Sequence, residues 1–453
     1  IRSGSASGTV VDQFVVGSSS SITIAGNELT LNPAVDLSNE IEYFVTYPAG
    51  SIKALGGVLQ NEQLIYSFTT EAIVPQLWTW GRNFNGALGL NEAGPGNAKS
   101  SPVQIPGTTW ITADTSKSVS MAVKTDGTLW GWGNNQGDGS GGCLGLNQAS
   151  GAVSSPTQIG TDTTWGKDNK HLSASYGCLQ IKTDGTLWTW GRNDSGGYNG
   201  QLGLNDVINR SSPTQIGTNT NWSDISGSAA AHRCAIKTDG TLWVWGMNTA
   251  GELGLNQGYI IYSSPVQVGT DTTWSKVMMR SNGGYNTLAL KTNGTLWAWG
   301  DNHDGGLGQN SISPAPNGIS SPTQIGTGTD WGDISSGSYD TYNWMIATKT
   351  NGTLWSWGQN QGGYLGQNNQ TRYSSPTQVG TDTTWSKVSM GFRTTYGIKT
   401  DGTMWSWGYN TYGDLGLNNR VVHSSPTQIG TDTNWIASSL RGCRDSVLIM
   451  RSE

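Results

Sequence analysis

The sequence predicts an all-β protein: a seven-bladed β-propeller preceded by a smaller β unit. Three observations carry this. Of 453 residues, 65 are Gly and 22 are Trp, while charged residues make up only 12%. That composition fits many short strands joined by turns, rather than long helices or a disordered chain. Leu77-Trp78-Thr79-Trp80-Gly81 recurs at 129–133, 187–191, 242–246, 296–300, 354–358 and 404–408, giving seven copies 50 to 58 residues apart. Repeats of this period mark propellers and solenoids. Finally, the two ends complement each other. The first copy has no Lys-Thr-Asp-Gly-Thr before it, and the chain ends in Val447-Leu448-Ile449-Met450-Arg451, with Arg451 at the usual Lys position. Residues 77–81 are therefore expected to complete the C-terminal blade as its fourth strand, leaving no open edge.

Residues 1–72 contain no Trp and alternate in hydropathy, with strands expected at 10–16, 21–31, 41–47 and 64–70. Residues 73–76 read as a linker, and 77–453 as the propeller. Each repeat reads as four strands. Ser-Ser-Pro-x-Gln is taken as the first, with Pro at a start where no ladder N–H is lost. The segment opening at a lone Trp (110, 165, 222, 274, 331, 385, 435) is the second, and the segment ending in Lys the third. Asp-Gly or Asn-Gly makes a two-residue hairpin turn with positive φ. Leu-Trp-x-Trp-Gly is the fourth. Three Trp per repeat account for all but Trp344. Trp richness is thus mostly architecture, since each buried indole removes a large apolar area from water.

This pattern closely resembles the regulator of chromosome condensation repeat family, over 77–453. The resemblance implies a seven-bladed propeller with a split closing blade. The Lys-Thr-Asp-Gly-Thr-Leu-Trp wording is more similar to bacterial and phage members. Before the repeats, Leu29-Thr-Leu-Asn-Pro, Tyr43-Phe-Val-Thr-Tyr-Pro and Tyr66-Ser-Phe-Thr-Thr resemble part of a bacterial surface-layer-type Ig-like domain. An Ig-like sandwich needs about 7 strands. Only four or five fit, so the chain is expected to belong to a longer modular protein.

Interval lengths separate framework from variation. From Lys to the last Gly of Leu-Trp-x-Trp-Gly the spacing is nine throughout, and from Pro to the lone Trp it is eight or nine. The Trp-to-Lys interval runs from 14 to 18, and the Gly-to-Pro interval from 18 to 23. In an up-and-down sheet the two variable connections share one end. Most Tyr and many Arg fall there, and both types favour recognition surfaces. The expected binding residues are Tyr339, Tyr342, Trp344, Tyr285, Tyr259, Tyr262, Tyr373, Arg280 and Arg393; Tyr409 is read as lying outside the variable segments.

Catalysis finds little support. The four His fall in different repeats without metal-ligand spacing, and Cys143, Cys178, Cys234 and Cys443 form no CxxC pair. Gly137-Asp-Gly-Ser-Gly-Gly142 enters no helix and so lacks the phosphate-loop setting. Asp301-Asn302-His303-Asp304-Gly305 fails the calcium-loop pattern. No metal, cofactor or catalytic residue is expected. A net charge of −6 without basic runs argues against nucleic acid, and no stretch is long and apolar enough for membrane insertion. The expected function is a non-catalytic extracellular recognition or structural module, such as a phage tail fibre, virion-surface protein or bacterial adhesin. Its expected partners are a cell-surface glycan or protein receptor and other subunits of a surface assembly. The alternatives are an intracellular protein-interaction propeller of nucleotide-exchange type and a polysaccharide-degrading enzyme.

Overall fold

A computed structural model describes residues 75–452 except 117, 137–140, 169, 195–199, 228–231, 280–284, 313–317, 340–341 and 443–445. Before these it describes 1–3, 5, 7, 9–13, 22–25, 28–31, 33, 37, 41–47 and 64–69. The protein is all-β. Among the described residues the helical elements are two short 3-10 turns, Pro95–Asn97 and Ala437–Ser439. Two compact units divide at Val74/Pro75.

The first unit holds an antiparallel four-stranded sheet in the order Thr9–Val10, Arg2–Ser3, Glu42–Tyr47, Leu64–Thr69. Tyr43 is buried in it and stacks on Phe68 with ring centroids 5.9 Å apart. A hairpin pairs Ile22–Ala25 with Glu28–Leu31. The expected strand at 10–16 runs partly outside the described residues.

Among the described residues, the second unit contains seven four-stranded sheets. One shows the plan: Trp222–Gly227, His232–Lys237, Leu242–Asn248 and Ile260–Gln267, each pairing antiparallel with the next. The lone Trp therefore opens the first strand. The Ser-Ser-Pro strand is the fourth and pairs with the Leu-Trp-x-Trp-Gly strand before it, as in Trp243 opposite Gln267. This corrects the expected strand order. The physical reason lies in the Pro: an outermost strand has a free edge, where a missing N–H costs nothing.

The closing sheet changes accordingly. Its order is Arg441–Gly442, Ser446–Arg451, Gln76–Gly81, Lys99–Gln104. Each end of the chain gives two strands, rather than three and one. Residues Ser446 to Arg451 pair one for one with Gly81 to Gln76.

The hairpin turn also differs from expectation. At 124–128 only Gly127 has positive φ (83°). Gly127 N–H donates to the Lys124 carbonyl and Lys124 N–H to Thr128 O. This is a three-residue loop with a bulge at Gly. Asp126 Oδ1 accepts from both Thr128 N–H (2.9 Å) and its hydroxyl (2.7 Å). Trp130 Nε1 then donates to Thr128 Oγ1 at 2.8 Å. The acid, the threonine and the indole thus lock the turn together.

Neighbouring sheets are joined by repeating bonds. Trp299 is fully buried, and its Nε1 donates to Glu252 O of the preceding repeat at 2.9 Å. Asn256, at φ 55°, donates its N–H to Ser320 O of the following outer strand at 2.7 Å. Asn418 makes the same bond to Ser100 at 2.7 Å, across the junction between the two ends.

Candidate functional site

The seven Gly-x-Asn steps anchor the variable connection between third and fourth strands. In each, the buried Asn side chain bridges that connection. Asn248 Oδ1 accepts Leu253 N–H at 2.9 Å, while its Nδ2 donates to Gln257 O at 3.0 Å. The root of each connection is therefore fixed, and the residues beyond it are free to differ. All the exposed large apolar side chains described in 75–453 lie in these connections: Val207, Ile208, Tyr259, Ile312, Tyr409, Val421 and Val422. Tyr409 follows directly on the Met404–Gly408 strand, so it too belongs to the variable end. That corrects its earlier placement.

A groove of about 380 Å³ opens among these connections, lined by Tyr342, Trp344, Gln359, Gln361, Gly362, Tyr364, Arg393 and Tyr409. It brings together three of the expected residues. Arg393 sits 5.1 Å from the Tyr409 ring centroid, within cation–π reach. Trp344 requires a correction. It is fully buried and stacks on Tyr364 at 4.4 Å, so it packs the groove floor and presents no surface to a partner.

The other expected residues are scattered over separate sheets. Tyr259 is 68% exposed. Tyr262 is half-buried, and its hydroxyl donates to Gln257 Oε1 at 2.7 Å. Tyr373 opens an outer strand and accepts from Asn369 Nδ2 at 3.1 Å. Tyr285 is half-buried, with its carbonyl bonded to Asp301 N–H. The Tyr339 backbone pairs with Tyr342. Arg280 lies outside the described residues.

A second feature was missed in the sequence. The first strands of the sheets face a cavity of about 390 Å³, lined among others by Lys170, Asp224, Lys276, Asp333, Lys387 and Arg441. Asp224, Lys276, Asp333 and Lys387 each stand two residues after a lone Trp. That spacing was the readable signal. In all four strands the register shifts just after the Trp, as bulges do when they re-aim a side chain.

Asp333 receives both lysines on one oxygen, Lys276 and, at 3.1 Å, Lys387. Its other oxygen accepts Val388 N–H at 3.1 Å. Burial raises this carboxyl, but the two lysines outweigh burial and hold it well below the usual carboxylate range. Burial pushes the Asp224 carboxyl up to about 7, against the opposing pull of Lys276 and Lys170. Burial brings Lys387 down to about 8, with Asp333 opposing. Arg441 Nε lies 3.5 Å from Asp114 Oδ1.

The cysteines described, Cys143, Cys178 and Cys234, are buried. Burial raises the Cys178 and Cys234 thiols, which disfavours the reactive thiolate. Among the described residues no group of His, Cys, Asp and Glu has the arrangement to hold a metal, and no helix is long and apolar enough to cross a membrane.

Comparison with known proteins identifies the repeat. The Regulator of chromosome condensation (RCC1) repeat matches residues 76–123, 184–233, 239–290, 351–397 and 401–440. A second form of it matches 283–305 and 385–414. The chain is 28% identical over 335 residues to the ultraviolet-B receptor UVR8 of Arabidopsis thaliana, covering 71% of this chain and 70% of that one. It is 28% identical over 364 residues to the mitochondrial RCC1 domain-containing protein RUG3 of the same plant, covering 72% and 75%. It is 30% identical over 245 residues to the probable human E3 ubiquitin-protein ligase HERC6, covering 52% of this chain but only 22% of that one. Among solved structures, Prp20p of Saccharomyces cerevisiae aligns with TM-score 0.70 at 15% identity, covering 84% of this chain and 92% of Prp20p. Yeast RCC1 (Prp20) bound to Kap60 aligns with TM-score 0.71 at 15% identity, covering 84% and 90%.

These findings overturn the expected extracellular function. The relatives are eukaryotic proteins of the RCC1 type, one of them mitochondrial by name, and none of those named is a tail fibre, virion protein or adhesin. The expected surface location, the glycan or protein receptor on a cell surface and the virion subunits as partners are corrected with it. With the repeat matched over more than half of its length and the fold shared with Prp20p, the chain belongs to the regulator of chromosome condensation (RCC1) repeat family.

Proposed function

We propose that the chain is an intracellular protein-interaction propeller that docks a partner protein on its variable end. The observation that carries this reading is the segregation of exposed apolar surface. Val207, Ile208, Tyr259, Ile312, Tyr409, Val421 and Val422 all sit in one class of connection. Exposed apolar groups gathered on one face mark protein contacts. The relatives support the setting: Prp20p is described by its binding to Gsp1p and histones, and is seen bound to Kap60. Tyr342 and Arg393, at the groove, would supply aromatic and guanidinium contacts of the type that dominates interfaces.

The finer architecture belongs to the same proposal. The seven sheets of 75–453 are read as seven blades, and 1–72 as a partial Ig-like unit. A non-catalytic role is part of the same reading.

Photo-crosslinking tests the reading. A crosslinkable residue is placed at Tyr259 or Val421, and a control at Thr161 or Thr218 on the opposite end. The chain is expressed in its source cells. The expected result is an intracellular protein crosslinked from 259 and 421 and not from the controls. Replacing Val207, Ile208, Val421 and Val422 with Ser should abolish that crosslink at unchanged Tm. Equal crosslinking from both ends, or recovery of the chain outside the cell, sinks the idea.

A further inference from the structure

Three connections of the variable end share one turn. In each, an Asn with positive φ is followed by an Asx residue: Asn205-Asp206, Asn368-Asn369 and Asn418-Asn419. Asp206 Oδ1 accepts Ile208 N–H at 2.9 Å, Asn369 Oδ1 accepts Thr371 N–H at 2.8 Å, and Asn419 Oδ1 accepts Val421 N–H at 2.9 Å. A side chain bonded to the backbone two residues on makes an Asx turn. The Asn of the Gly-x-Asn step grips the same residue from behind. Asn193 Nδ2 donates to Asp206 O at 2.9 Å, Asn360 Nδ2 to Asn369 O at 3.0 Å, and Asn410 Nδ2 to Asn419 O at 3.0 Å. The turn is framework, and the residues that it carries are the variable part.

Those residues are exposed and differ in chemistry: Val207-Ile208, Gln370-Thr371-Arg372 and Arg420-Val421-Val422. Their charges differ in one respect. Arg210, just after the first turn, pairs with Asp206 at 2.6 Å, and Arg372 pairs with Asp304 at 3.3 Å. Arg420 has no ion-pair partner among the described residues. Beside it Val421 is 61% and Val422 42% exposed. An apolar pair next to an unengaged cation combines burial with direction. A turn already held in one shape loses little conformational freedom on binding.

We propose that the 420–422 turn is the seat of partner docking, a preorganised knob that enters an apolar pocket rimmed by a carboxylate on the partner protein. Val421 and Val422 fill the pocket, Arg420 pairs with the carboxylate, and Asn419 is the positioning residue. This rests on the protein-docking reading of the variable end, and adds which turn docks and what chemistry it meets.

Competition crosslinking tests it. The probe is the labelled full chain with a crosslinkable residue at Tyr259, away from the turn, in an extract of its source cells. Unlabelled full-length variants compete, and the concentration that halves the crosslink reports relative affinity. Arg420→Glu should raise that concentration about tenfold or more, and Arg420→Lys by no more than about threefold. Asn419→Ala should raise it about fivefold. Asn419→Asp should stay within about twofold of wild type, since Asp206 already makes the same turn. Gln370→Glu, on the neighbouring turn of the same geometry, should also stay within about twofold.

A probe that crosslinks no protein overturns the docking reading and this proposal together. A crosslink that Arg420→Glu suppresses as well as wild type does overturns this proposal alone. An equal loss from Gln370→Glu means diffuse charge attraction in place of a seated arginine, and overturns it too. Wild-type competition by Asn419→Ala removes the positioning role. Should that variant not fold, the Arg420 pair still decides, because Arg420 is exposed and its replacement leaves Tm unchanged.

Discussion

At the residue scale, a cation held between two indoles recurs in every repeat. Lys182 Nζ lies 4.8 Å from the Trp165 ring centroid and 3.8 Å from that of Trp188. Asp162, in the turn just before Trp165, closes the clamp by pairing with Lys182. Lys291 with Asp271, Lys349 with Asp330, Lys399 with Asp382 and Arg451 with Asp432 repeat it. Lys237 sits between Trp222 and Trp243 in the same way, yet Asn219 stands where the acid belongs. Burial lowers the Lys237 pKa, with Asp239 opposing, the direction expected of a cation short of partners. Asn219→Asp should therefore stabilise the protein by about 0.5–1 kcal/mol, a screened value for a half-exposed pair. Urea unfolding would measure it. The gain should vanish in a Lys237→Met background, as a double-mutant cycle requires of a direct pair. The sequence displayed the lysines and tryptophans of this clamp as a pattern. It did not display their contact, because the Asp lies one turn and two strands away from its Lys.

At the scale of the blade, the Leu-Gly step is one of the close contacts between neighbours. Gly254 has φ +70°, and a Cβ there would lie 2.7 Å from Trp299 Nε1 in the next sheet. Trp299 cannot yield, being fully buried with that nitrogen bonded to Glu252 O. Gly217 has a similar φ of +57°, but no atom lies within 4 Å of the corresponding Cβ. The two positions separate backbone strain from steric conflict. Gly217→Ala should cost about 1 kcal/mol through φ alone. Gly254→Ala should cost about 2–4 kcal/mol, because overpacking adds to the strain. Chemical denaturation of both variants would check this, and equal costs would refute the steric account. Blade strands were readable because Trp, Lys and Gly recur at fixed intervals. Strand order was not. Ser-Ser-Pro-x-Gln lies nearer in sequence to the following lone Trp than to the Trp strand it pairs with. Only the free edge that Pro prefers distinguishes the two assignments. The charged lining of the cavity stayed hidden for a related reason. Each sheet contributes one or two charges, and only closure of the ring sets Lys276, Asp333 and Lys387 against one another.

At the scale of the whole molecule, the closing sheet decides whether seven sheets act as one body. Ser446–Arg451 fills its centre against Gln76–Gly81. Its two faces serve two neighbours. Val447 and Ile449 pack with Trp80 and Trp435, while Leu448 and Met450 pack with Leu77, Trp110 and Trp132. Removing 446–453 would therefore strip the pairing edge from Gln76–Gly81 and open two interfaces at once. In an assembly of repeats, stability is a sum of unit and nearest-neighbour terms. Loss of two neighbouring interfaces should lower Tm by about 10 °C or more and broaden the transition, since cooperativity round the ring is broken. A synthetic peptide spanning 441–453, added in trans, should restore much of the loss in a concentration-dependent manner, by linkage of binding to folding. Scanning calorimetry with and without the peptide reads both effects. An unchanged Tm on truncation would mean that the junction between the ends carries no more stability than a loop. Failure of the peptide to rescue a destabilised chain would mean that the C-terminal strands act during folding rather than as a clasp.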